Sequence, residues 1–214
     1  MGAPVTARAT DRTPFLEWGV AVAAAPGERE CGDAHAVRPL NHGVLIGVLD
    51  GLGHGHDAAV AARRGVAALT TDDHPSVLTL LERCHRSLSR TRGAVVTLVR
   101  FDVADDTMSW IGVGNVSGVL VRRDHRGLPR TERLLERPGI VGVELPALQA
   151  ALLQVTPGDV VALATDGIQP EFVDHVSLTG HPQEQADALL RRFARDNDDA
   201  LVFVGRYRGR AGAV

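Results

Sequence analysis

Apolar residues in this chain fall into short runs of strand length, broken by Gly, Pro, Asn and Asp, with a few stretches of helical period between them. Phe15–Ala25 opens the series, with Val20 and Val22 continuing the run, and a turn-rich stretch, Pro26–Asp33, follows. Gly43–Leu49 (GVLIGVL) is a short continuous apolar run bounded by Gly and Asp, the pattern of a strand covered on both faces. A glycine-rich segment, Gly51–Gly55, leads into an alanine-rich helix over Ala58–Leu69. A second helix begins at Asp72, Asp73 and Pro75, an acidic start with proline in the first turn, and Val77, Leu81, Cys84 and Leu88 recur at helical spacing. Gly93 ends it. Ala94–Phe101 is rich in β-branched residues at strand length. Met108–Val113 and Val116–Arg122 flank Gly114-Asn115, which predicts a hairpin because both residues tolerate positive φ.

Arg123–Val143, with Gly127, Pro129, Pro138 and Gly139, reads as an irregular excursion of the kind that selects substrates or simply crosses the surface. Leu148–Val155 and Val160–Ala164 bracket Pro157-Gly158-Asp159, which predicts another hairpin. A last helix starts near Pro182 with Ala186, Leu189, Leu190 and Phe193 on one face, and Ala200–Arg206 is a final strand. Helices in two clusters and strands in hairpin runs argue against βαβ alternation and for the α+β class.

At 214 residues, 44% hydrophobic and 23% charged, the chain has the size and balance of one domain. Residues 1–13 read as a flexible N-terminal arm and 14–214 as that domain. A net charge of −3 gives no electrostatic reason to expect nucleic acid or an anionic membrane as partner. Two cysteines in unlike contexts, no leader-like N-terminus and no apolar run near roughly 20 residues point to a reducing, cytoplasmic setting. The chain contains no lysine, which removes a Walker-type phosphate loop, a Schiff base and pyridoxal chemistry, since arginine supplies no titratable amine.

Aspartates carry the candidate chemistry. Asp33 lies in ECGDAH, Asp50 in VLDGLGHG, Asp166 in ALATDGI, and Asp198 with Asp199 in DNDDALVFVG. Asp50 and Asp166 share one pattern: an apolar strand, then Asp at its exit from the core, then Gly. One such junction is an ordinary turn, but two of them plus an acidic cluster before the last strand form a constellation. Several carboxylates converging without a basic neighbour need a compensating cation. An oxygen-rich set favours Mg²⁺ or Mn²⁺ over zinc, which leans on His and Cys. Two such ions would acidify a bridging water for in-line attack on phosphorus. His54 and His56 are spaced HxH but lack the rest of a zinc-hydrolase pattern and read as loop residues, while Cys84 reads as core.

In order along nearly the whole chain, CGD at 31–33, DGLGHG at 50–55, ERCHRSLSRTRGA at 82–94, GVGNV at 112–116, TDG at 165–167 and DDAL at 198–201 resemble the PPM family of metal-dependent serine/threonine phosphatases. Within it, the likeness is to the RsbX and SpoIIE-like group of bacterial partner-switching regulators. The resemblance implies a four-layer αββα sandwich, two antiparallel sheets flanked by helices, with two Mn²⁺ or Mg²⁺ ions at one edge. It implies that Asp50 bridges both ions, that the Gly51 carbonyl binds one, that Asp166 and Asp198 complete the other shell, and that Asp33 orients a metal-bound water. It further implies a phosphorylated regulatory protein, of STAS-domain or stressosome type, as partner.

Two departures from the family pattern stand out. Gly32 replaces an acidic residue that many members carry, and Leu52 replaces a histidine proposed as proton donor in larger members. His54 is the candidate general acid within reach, and Arg29 the candidate for the substrate phosphate, although an arginine between two glutamates also reads as a solvated ion pair. Gly32 motivates an alternative, a pseudophosphatase that binds phosphoproteins without turnover. A dinucleotide-binding loop is a further reading of GVLIGVLDGLGHG, but His56 stands where the third glycine belongs and Asp50 would face the pyrophosphate with like charge.

Overall fold

In the computed structural model, residues 12–70, 76–125, 127 and 130–210 are described. Ten strands form two antiparallel sheets of five. The strands are β1 (Leu16–Ala23), β2 (Asp33–Leu40), β3 (Gly43–Gly51), β4 (Ala94–Asp102), β5 (Thr107–Val113), β6 (Ser117–Val121), β7 (Thr131–Leu134), β8 (Ala151–Gln154), β9 (Val160–Ala164) and β10 (Ala200–Tyr207). One sheet runs β1-β10-β9-β6-β7 and the other β2-β3-β4-β5-β8. Helices α1 (His56–Ala68) and α2 (Val77–Leu88) cover the outer face of the second sheet, and α3 (Pro182–Phe193) covers the first.

The layering explains why strands read as unbroken apolar runs. In β3, Val44, Ile46 and Val48 face the inter-sheet core with Phe101, Trp110, Leu163 and Phe203, while Leu45 and Leu49 face α1 and α2. In β9, Val161 and Leu163 point inward, and Val160, Ala162 and Ala164 pack toward α3 with Phe172 and Phe193. Both faces of each central strand leave water, so alternation disappears from the sequence.

Helix α2 buries Val77, Leu81, Cys84 and Leu88, the expected stripe, together with Leu80. Ser76 caps it, its side chain accepting from the Thr79 amide. The acidic start predicted at Asp72, Asp73 and Pro75 lies outside the described residues, as does most of the arm predicted at 1–13. Thr13 is buried and caps the entry to β1, its Oγ1 accepting from the Leu16 amide at 3.0 Å.

Neither predicted hairpin forms. β5 is paired on its two sides by β4 and β8, whereas β6 lies in the other sheet between β7 and β9. Gly114, at φ +101°, carries the chain across, with Val95 filling the space a Cβ would need. Likewise β8 and β9 belong to different sheets, and Pro157-Gly158-Asp159 is a crossing rather than a hairpin turn. The buried Asp159 organises that crossing by accepting from the Arg123 amide at 2.8 Å and the Thr156 amide at 3.0 Å. Strand β2 had no apolar run to announce it, since most of its residues are only half-buried. Within the expected 123–143 excursion, Thr131–Leu134 forms the edge strand β7.

Candidate active site

Four chain segments reach the same end of the sandwich. β2 begins where β3 ends, so Asp33 and Asp50 stand directly opposite each other in the ladder. β9 ends where β10 begins, which puts Asp166, two residues past β9, beside Asp198 in the loop before β10. Like charges facing across a ladder are destabilising, and no packing argument calls for them here.

Asp33 is 6% exposed. Its Oδ2 accepts from the Thr165 hydroxyl at 2.7 Å, while its Oδ1 has no partner. Burial pushes its carboxyl above the ordinary range, opposed by the Thr165 bond and reinforced by the charges of Asp199, Asp166 and Asp198. Burial likewise raises Asp50, followed by the charges of Asp33, Asp166 and Asp198 and a hydrogen bond with the Asp166 carboxyl. The other side of Asp166 is held by Asn115, whose Nδ2 donates to Oδ2 at 2.8 Å.

Beside these groups lies an open cleft of about 690 Å³ lined by Asp50, Asp166 and Asp198 together with Leu52, His54, Asn115 and Glu136. Carboxylates this crowded either hold protons or hold a cation. An orphaned buried oxygen on Asp33 and carboxyls of Asp50 and Asp166 in contact fit a divalent cation, which would take up the oxygens that now compete for protons. Among the described residues, no three His, Cys, Asp or Glu side chains close into a preformed shell.

The structure therefore brings together Asp33, Asp50, Asp166 and Asp198, with Gly51 buried beside them and its amide donating to the Gly32 carbonyl at 3.0 Å. Asp199 does different work. Its carboxylate accepts from the amides of Ala25 and Gly32, both at 2.8 Å, and clamps the 25–32 loop. Gly32 itself has a packing reason: a Cβ there would meet Ala58 Cβ and Asp199 Oδ2, both at 2.8 Å, so no acidic side chain fits.

His54 lines the cleft, 66% exposed at its side chain, with Nδ1 2.7 Å from Glu28 Oε1. Arg29 is exposed and does not line the cleft, so it is not brought to the carboxylates. His56 pairs with Glu30 outside the cleft, and Cys84 is buried in the core. Three residues at the site were missed. Asn115 was read only as a turn residue, Thr165 only as the neighbour of Asp166, and Glu136, held by the Ser117 hydroxyl at 2.6 Å, gave no pattern at all.

Two antiparallel sheets between helices, with strand-end aspartates gathered at one end, are the architecture of the PPM-type serine/threonine phosphatases, the PP2C fold. The family model for stage II sporulation protein E (SpoIIE) matches residues 41–208, and the chain belongs to that family. It is 21% identical over 182 residues to phosphoserine phosphatase RsbX of Bacillus subtilis (strain 168), covering 83% of this chain and 87% of that protein. A solved structure described as "The bacterial stressosome: a modular system that has been adapted to control secondary messenger signaling" is 30% identical, with TM-score 0.81, over 89% of this chain and 99% of its own. The crystal structure of RsbX in complex with magnesium superposes with TM-score 0.80 at 19% identity, over 92% of this chain and 97% of its own. The chain is accordingly a hydrolase of the protein serine/threonine phosphatase class, and the pseudophosphatase alternative finds no support. Among the described residues no helix is long and apolar enough to cross a membrane.

Proposed function

We propose that this chain removes phosphate from phosphoserine or phosphothreonine on a phosphorylated bacterial regulatory protein, of stressosome or STAS-domain type, in the cytoplasm. The observation that carries the reading is the convergence of Asp33, Asp50, Asp166 and Asp198, with one Asp33 oxygen left unpartnered and Asp50 sharing a hydrogen bond with Asp166. Two Mn²⁺ or Mg²⁺ ions, when bound, would supply an acidified water and neutralise the phosphoryl oxygens. Asp50 would be a ligand to both ions. Gly51 would offer its carbonyl, and Asp166 and Asp198 would complete the ligand set from the opposite sheet.

Asp33 sits deeper, behind the cleft lining, and its free Oδ1 would accept a hydrogen bond from a water in that cluster and so orient it. Asn115 fixes the rotation of Asp166 by holding one oxygen. We assign to His54, in the cleft wall, the protonation of the leaving serine oxygen, with Glu28 at its Nδ1 to set the tautomer. The 30% identity to a structure from a stressosome study supports the partner class. Phosphate release from a phosphorylated STAS-domain protein, followed with Mn²⁺ and with chelator, tests the reading. Asp50→Ala and Asp166→Ala are each expected to cut the rate by at least about a hundredfold. Unchanged rates in both would refute the ligand assignment.

A further inference from the structure

The cleft that would receive a phosphoryl group is itself acidic. Asp50, Glu136, Asp166 and Asp198 line it, His54 is the one base among them, and none of the lining residues is an arginine. Bound cations correct that balance locally, but they offer little hold on the polypeptide that carries the phosphate. A protein substrate needs a second surface, and one adjoins the cleft wall at Leu52.

Leu52 is 36% exposed, and its amide donates to the Gly93 carbonyl at 3.1 Å. On the other side of Gly93 stands Val143, 61% exposed: a Cβ at Gly93 would lie 3.1 Å from Val143 Cγ2 and 2.7 Å from Ile140 Cγ2. Two exposed apolar side chains thus border the buried Gly93 and form a shelf that begins in the cleft wall. The shelf is fastened to the end of α2, since the Gly142 amide donates to His85 Nδ1 at 3.0 Å and Leu88 packs against Gly142. From Arg83 to Arg92 the chain carries four arginines and no carboxylate. Arg86, Arg90 and Arg92 are exposed, and Arg92 reaches back to Asp57 at 2.8 Å.

We propose that the Leu52–Val143 shelf and the arginine ridge of Arg86 and Arg90 are the docking surface for the protein substrate. The occupant is a phosphoserine or phosphothreonine segment with an apolar side chain beside the phosphorylated residue and carboxylates farther along. The inference rests on the phosphatase reading above and specifies its substrate. Charge complementarity sets the polarity of the partner: an acidic, phosphorylated segment is drawn by the ridge, while the acidic cleft alone would repel it. An apolar anchor on the shelf removes exposed Leu52 and Val143 from water and sets register.

The test uses the intact chain with Mn²⁺, 4-nitrophenyl phosphate, and three fluorescently labelled phosphoserine peptides: one with an adjacent leucine and distal glutamates, one with that leucine replaced by serine, and one with the glutamates replaced by lysines. The first peptide is expected to exceed each of the others in kcat/KM by about tenfold, mainly through KM. Val143→Asp is expected to erase the leucine preference, and the double variant R86E/R90E to favour the lysine peptide. Turnover of 4-nitrophenyl phosphate stays at the wild-type value in both, since neither site lines the cleft. Wild-type peptide preferences in both variants would overturn the proposal. So would a ridge that binds a single-stranded oligonucleotide while the charge-reversed variant keeps its peptide rates. If no substrate releases phosphate, the phosphatase reading fails, and anisotropy of the same labelled peptides still decides the docking surface.

Discussion

Thr165→Val removes one oxygen and little volume, and it strikes the point where the two sheets meet the carboxylate cluster. Thr165 is 1% exposed, donates to Asp33 Oδ2 at 2.7 Å, and accepts from the Leu201 amide at 2.9 Å. The variant leaves two buried polar groups orphaned, the Leu201 N–H and the second Asp33 oxygen, at about 1–3 kcal/mol each. A buried methyl returns about 0.8 kcal/mol. The net loss is about 1–5 kcal/mol, or a fall in Tm of roughly 2–20 °C for a chain of this length. Because the Thr165 bond favours the ionised carboxyl, its loss pushes Asp33 further up and weakens binding of a divalent cation. The destabilisation is therefore larger in Mg²⁺ or Mn²⁺ than in chelator. Thermal unfolding under both conditions, with calorimetric titration of Mn²⁺, measures both effects. A Tm within about 2 °C of wild type in both buffers would refute the role assigned to this hydroxyl.

The adjacent aspartates separate cleanly. Asp199→Ala loses two amide partners and is expected to cost about 2–4 kcal/mol by urea unfolding, whereas Asp198→Ala loses only the bond from the Asp199 amide, should cost about 1 kcal/mol or less in chelator, and instead weakens Mn²⁺ binding. With Asp33 and Asp50 held above their unfolded values, the metal-free protein binds more protons folded than unfolded. The contribution of these two groups to stability is fully present below the ordinary carboxylate range and is lost as pH rises through the raised values, so the urea midpoint in chelator is lower at pH 8 than at pH 5. Saturating Mn²⁺ should flatten or reverse that trend, and Mn²⁺ uptake should release protons, read from calorimetry in buffers of differing ionisation enthalpy.

Element identity was largely legible from the sequence because each central strand is buried on two faces, which writes long apolar runs. That same double burial hid the topology. β5 and β6 carry indistinguishable patterns yet lie in different sheets, and the Gly114-Asn115 pair that suits a hairpin also suits a crossing. Strand-exit aspartates were readable because the strand-Asp-Gly junction, an ordinary turn on its own, recurs at Asp50 and Asp166 beside the acidic pair before the last strand. Asn115 and Thr165 were not, since their roles depend on partners 51 and 132 residues away. Arg29 lies on an exposed stretch outside the cleft lining, a placement that two flanking glutamates could not reveal in the sequence.

The placement of β10 between β1 and β9 makes one strand the sole link between β1 and the rest of its sheet. With residues 200–207 displaced, β1 has no strand to pair with and Asp198 has no anchor, so the first sheet is split and the acids are dispersed. Contacts this distant in sequence are slow to close. A single strand thus completes a sheet and the carboxylate cluster together, so loosening of that one strand would silence the site before the rest of the sandwich is lost.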